Sequence, residues 1–184
     1  MSVFQYGIRI SNIMRATEFI IRESMDENEG FEWEQDLMDT WAPKAARHMA
    51  RVVKNAFQSL YPQVPIRVWT DNEAINATTD PTAQDPKPDV FGTSGKQDWE
   101  AVIFVGPLYH EADGVAYLDL MVEEAASGQY KGVWKLIAAE WAKYANSQLK
   151  RTGAEAVCFS VDEDRNDAWA KIAAQAGLKY IVHN

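Results

Sequence analysis

The apolar positions change period along the chain, and the change is clearest from Val115 onward. Val115–Val122 and Ala156–Val161 are short apolar runs rich in β-branched and aromatic residues. Runs of this kind read as strands buried on both faces. Between them Trp134, Ile137, Trp141 and Ala145 recur at three- and four-residue steps, which is one face of an amphipathic helix. The spacing predicts a helix from about Lys131 to Lys150. Lys150 and Arg151 suit the negative end of its dipole, and Gly153 is its stop. A strand, a helix and a second strand of this length form a crossover unit, so the two strands are expected to be parallel neighbours. The loop Asp162–Asp167 then leads to a short helix ending at Gly177 and a last strand, Leu178 to Val182.

The front half is patterned less sharply. Val3–Ile10 alternates as a strand would, and Ser11 or Asn12 is placed to cap a helix running to about Asp26. Asp26–Gly30 is a polar break before a short helix that holds Trp33, Leu37 and Trp41. Pro43 starts the next helix, whose buried face is Ala46, Met49, Val53, Ala56, Phe57 and Leu60, and Pro62 and Pro65 end it. Ile66–Trp69 reads as a strand. Asp71–Asp98 reads as one long polar segment, broken by Pro81, Pro86, Pro88, Gly92 and Gly95. It is either a mobile excursion or an arm or lid that touches a partner. Trp99–Val105 is a strand that Gly106-Pro107 should end, and His110–Gly114 is the turn into Val115. The expected fold is α/β: a mixed, twisted sheet of six or seven strands flanked by helices, in one domain over residues 1–184, with halves 1–110 and 111–184.

Composition narrows the function classes. The formal charge of −9 disfavours a nucleic-acid surface or an anionic membrane and favours a basic amine or a basic protein as partner. The single cysteine, Cys158, forms no internal disulfide and sits in a predicted buried strand, which reads as an inert core thiol. No run approaches the roughly 18 apolar residues of a membrane helix, and no secretory signal is visible, so an intracellular setting is expected. No Cys/His spacing supports a metal site, and neither a P-loop nor a nucleophile elbow is present.

Two motifs lie on this frame. Gln129-Tyr130-Lys131-Gly132-Val133-Trp134 opens the long helix, and Asn166 precedes Gly177-Leu178 by 11 residues. In order and spacing they resemble the acyl-CoA-binding half of the GNAT acetyltransferase superfamily. The resemblance covers about the last 70 residues. It implies a splayed central parallel strand pair, acetyl-CoA as cofactor, and an amine as acceptor. Backbone at Val122 and Glu124 would pair with the pantetheine arm, and Asn166 would hold it from the other side; Asn166 reads equally as a helix cap. Gln129, Lys131, Gly132 and Val133 would present N–H groups and charge to the pyrophosphate.

Base candidates are Asp119, Glu123 and Glu124. Asp119 interrupts an apolar strand, where a carboxylate serves as a base, pairs with a core Arg or Tyr, or lies on a partly wet face. Strand alternation puts Tyr117, Asp119 and Met121 on one face, with Glu123 continuing the parity if the strand does not bulge. Tyr117, Tyr130 and Tyr144 are packing residues or substitute acids. His110, Glu111 and Asp113 form a polar turn, read as solvated, and His48 reads as a surface residue.

Two positions depart from the GNAT pattern. Trp134 stands where the loop keeps a small residue, and Ala173 stands seven residues after Asn166, where a Tyr often protonates the departing thiolate. A methyl group donates no proton. With a working loop, the Trp134 indole should leave the helix N-terminus and pack into the core; with a degenerate loop, it should fill the slot. The damaged motifs also resemble GNAT-like proteins of tailed phages. That implies a second reading: a non-enzymatic virion or host-interaction component, assembled into a larger particle, with the cytoplasm as the setting otherwise.

Overall fold

The computed structural model describes residues 27–80, 99–126, 130, 132–161 and 167–182, with the side chains of 27–29 and 124–126 outside that description. The expected strand at Val3–Ile10, the helix that follows it, and residues 81–98 of the long segment lie outside the described residues. So do Gln129, Lys131 and Asn166.

The described elements are α1 (Glu27–Thr40), α2 (Ala42–Leu60), β1 (Arg67–Asp71), β2 (Ala74–Thr78), β3 (Glu100–His110), β4 (Val115–Ala126), α3 (Val133–Thr152), β5 (Ala156–Val161), α4 (Asp167–Gln175) and β6 (Lys179–Val182). The sheet order is β1-β2-β3-β4-β5-β6. The pairings from β1 to β4 are antiparallel, and β4–β5 and β5–β6 are parallel. This is a mixed α/β architecture. The crossover read from the apolar periods is present, with Tyr117 opposite Ala156 and Val122 opposite Val161. Helix α3 ends at Gly153, whose left-handed backbone (φ 77°) lets its N–H reach the Leu149 carbonyl at 3.0 Å.

Strand alternation divides the sheet into two faces. Leu118, Leu120 and Val122 of β4 and Val157, Phe159 and Val161 of β5 join the large core with the buried sides of the helices. Helix α2 contributes Ala45, Ala46, Met49, Val53, Ala56 and Phe57 at helical spacing. Each of its fully buried large side chains stabilises the fold by about 1.5–3 kcal/mol through burial. Tyr117, Cys158 and Ile181 form a smaller cluster on the opposite face.

Four expectations are corrected. Asp71–Asp98 is not one loop: Ala74–Thr78 is a strand, paired with β1 and β3. Asn72 turns the chain with φ 49°, a conformation Asn tolerates better than most residues. Gly106-Pro107 does not end β3, which runs on to His110 opposite Val115. Val105 sends its N–H to the Glu73 carbonyl (3.2 Å), and Tyr109 sends its own to the Glu34 carboxylate. Alternation points position 107 the same way, past the end of β2, so Pro107 lacks an N–H where no described strand would receive one. The polar break at Asp26–Gly30 is already helical from Glu27. Finally, β4 bulges. Ile103 faces Val122 while Val102 faces Glu124, which leaves Glu123 without a partner position and breaks its parity with Asp119.

Helix α1 covers the part of β3 that β2 leaves bare. Gly30 lies against the Tyr109 ring and Gly106 lies under the Met38 sulfur. Among the described residues, this stretch of edge is shielded by a helix and a carboxylate.

Candidate functional site

The C-terminal ends of β4 and β5 and the start of α3 carry the residues singled out by the sequence. Val122 is buried and pairs with both Ile103 and Val161. Glu123, in the bulge beside it, is exposed. Glu124 pairs through its backbone position with Val102. Gly132 precedes α3 with φ 90° and is exposed; a Cβ there would meet Leu60 Cδ1 at 3.4 Å. Val133, the first helical residue, is fully buried. The left-handed glycine is a backbone device that lets the chain enter the helix sharply.

Trp134 is half-buried and packs on the large core. Its indole lies 5.6 Å from the Trp99 ring and 5.2 Å, edge to face, from Trp169. Trp169 in turn stacks on Phe159 of β5 at 5.7 Å, and Trp99 packs against Phe57 at 5.3 Å. Rings therefore run from α2 past the start of β3 to α4, with Trp134 as the link between Trp99 and Trp169. Tyr130 joins the line through Phe57 and Tyr61, at 5.0 and 4.9 Å. Each pair in such geometry adds about 0.5–1.5 kcal/mol beyond its burial. Ala173 is fully buried in the same core.

Asp119 lies elsewhere, on the opposite face of the sheet and 7% exposed. Its Oδ1 accepts from the Ser160 hydroxyl at 2.7 Å and from the Cys158 thiol at 3.1 Å. Cys158 and Ser160 are both fully buried. Burial, then the Asp119 charge, pushes the Cys158 thiol far above its usual range, so it stays protonated and inert. The core partners of Asp119 thus include a serine and a cysteine, where sequence reading named an arginine or a tyrosine. Alternation placed Cys158 and Ser160 on one face, but their meeting with Asp119 depends on the β4–β5 register.

The polar turn is not merely solvated. Asp113 binds Lys179 of β6 directly, accepts from the Tyr117 hydroxyl at 3.0 Å and lies 3.0 Å from His110 Nδ1. Lys179 also donates to the Tyr117 oxygen at 2.7 Å and sits 4.7 Å over its ring. Burial works to raise the Asp113 carboxyl, but the hydrogen bonds from Lys179, His110 and Tyr117 outweigh it and hold it at about 2. Lys179 carried no signal in the sequence, because only the parallel β5–β6 register brings it to this turn. Among the described residues, no group of three or more potential ligands could hold a metal. Their helices include none long and apolar enough to cross a membrane.

His48 is half-buried and stacks on Tyr144 at 4.2 Å, so it belongs to the α2–α3 seam rather than the open surface. Burial lowers its pKa, and Arg51 adds to the effect.

No protein-family model, curated protein or solved structure matches the chain.

Proposed function

We propose that the chain is a GNAT-like protein that keeps the acyl-CoA-binding architecture for interaction and does not transfer acetyl groups. The observation that carries this reading is the position of Trp134, lodged between Trp99 and Trp169 at the start of α3. Gly132 suits the close approach of an anion, since its left-handed backbone carries no side chain and is exposed. Trp134 packs on the core, the placement expected of a working loop, but its indole is only partly buried, and on this reading its outer part, with Trp99 and Trp169, stands in the way of a pyrophosphate. Ala173 is buried and has no proton to give a departing thiolate. On this reading the molecule serves as a structural or host-interaction component, as a virion protein would, and its partners are proteins.

A second reading rests on Glu123. Its exposed carboxylate lies in the bulge next to Val122, near the end of the parallel pair, where it would take a proton from a basic amine attacking acetyl-CoA.

Isothermal titration with acetyl-CoA separates the two. The native chain is expected not to bind, and Trp134→Gly to gain binding. Micromolar binding by the native chain would overturn the first reading; transfer to an amine that Glu123→Gln abolishes would then establish the second.

A further inference from the structure

Helices α1 and α2 follow one another with a single residue, Trp41, between them, yet they carry opposite charge. Residues 27–40 contain six Asp or Glu and no Lys or Arg, whereas residues 42–60 contain four Lys or Arg and no Asp or Glu. The charges are also confined to outward faces. Glu32, Asp36 and Asp39 are exposed and lie within one sector of α1, opposite buried Leu37. Lys44, Arg47, Arg51 and Lys54 are exposed and lie within one sector of α2, opposite buried Met49 and Val53. None of these seven side chains makes an ion pair among the described residues. Glu140, the acid near His48, is held by Lys143 at 2.6 Å and does not neutralise the stripe. Phe31, 67% exposed, lies on the flank of the acidic face, on the same side of α1 as Met38, and is the most exposed large apolar side chain among the described residues.

We infer that the acidic face of α1 in one copy docks on the basic face of α2 in another. The acid spacing of four and three residues matches the three-, four- and three-residue spacing of the cations, so charges along two such helices fall in reach of each other. Phe31 supplies apolar area that the charges alone lack. The contact joins two different faces, so every added copy leaves one of each unused. The product is an open chain or a ring, not a closed two-fold dimer. The net charge of −9 opposes the approach of copies and keeps the association weak. The same net charge argues against nucleic acid as the occupant of the basic face.

Sedimentation velocity on the whole chain tests this at about 0.05 M and about 0.5 M salt, where screening differs strongly. The weight-average mass should rise with concentration past the dimer value at low salt and return to monomer at high salt. Arg47→Glu with Arg51→Glu, and separately Glu32→Lys with Asp36→Lys, should each weaken association about tenfold or more. Mixing the two double variants should restore it, because each then offers the face the other lacks. Circular dichroism checks that these surface variants keep the fold. A native chain that stays monomeric at low salt overturns the proposal, as does a mixture no more associated than either variant. Binding of a short DNA duplex that the α2 variant abolishes, with no change in mass, would also overturn it and give the basic face to nucleic acid.

Discussion

Gly30 sits inside a helix, where alanine is ordinarily better by about 1 kcal/mol. Here the neighbourhood reverses that preference, because a Cβ would meet the Tyr109 ring at 2.7 Å. Overpacking of this kind costs about 1–3 kcal/mol. Gly30→Ala is therefore expected to lower stability by about 1 kcal/mol in urea melts, despite the gain in helix propensity. A stabilised variant would show that α1 shifts freely on the edge of β3. The same contrast decides what single residues revealed beforehand. The apolar face of α2 was legible from Ala46 to Phe57, because burial imposes a period on the residue types themselves, whereas Leu60, expected on that face, is exposed at the helix end. The partners of Asp119 were not, because Ser160 and Cys158 reach it only through a register that no local pattern encodes.

At the scale of elements, the crossover from β4 to β5 was readable and the hairpin from β1 to β2 was not. The crossover has long runs on both sides of a long amphipathic helix. The hairpin has two strands of five residues, half of whose positions are polar, joined by Asn72-Glu73 with no glycine to mark the turn. Pro107 misled for a related reason. Proline stops a strand only where its missing N–H was needed, and that depends on which neighbour ends first. The β3–β4 turn and β6 are tied by Asp113 and Lys179, and the tie has a pH signature. Asp113 titrates at about 2 in the fold against an ordinary 3.8, so the folded chain holds that proton less tightly than the unfolded chain does. The network favours folding above pH ~4 and loses its contribution as pH falls toward ~2. Lys179, whose pKa is raised, loses its share only at the alkaline end, as pH climbs through its folded value. Asp113→Asn should flatten the acid limb of the urea-stability profile between pH ~4 and ~2. An unchanged limb would mean that the tie persists in the unfolded chain or that solvent screens it fully.

For the whole molecule, α/β class was legible from the alternation of periods, but the candidate site was legible only in outline. Its loop residues Gln129, Lys131 and Asn166 lie outside the described residues, and its meaning turns on where one indole points. Strand order carries a separate consequence, for how the chain reaches its fold. Among the described residues each strand of the sheet lies beside its predecessor in sequence, so no described strand is inserted between two already formed. Antiparallel neighbours joined by tight turns close cheaply, whereas the parallel pairs wait for a helix to be made and laid across the sheet. The sheet can thus grow by addition at one edge. Pulse-labelled hydrogen exchange during refolding should protect β3 and β4 amides before those of β6, and the reverse order would show that the parallel half nucleates the fold. A chain still being synthesised would meet the same sequence of events. Its meander can form while β6 is inside the ribosome, and the last strand then finds a finished edge to complete.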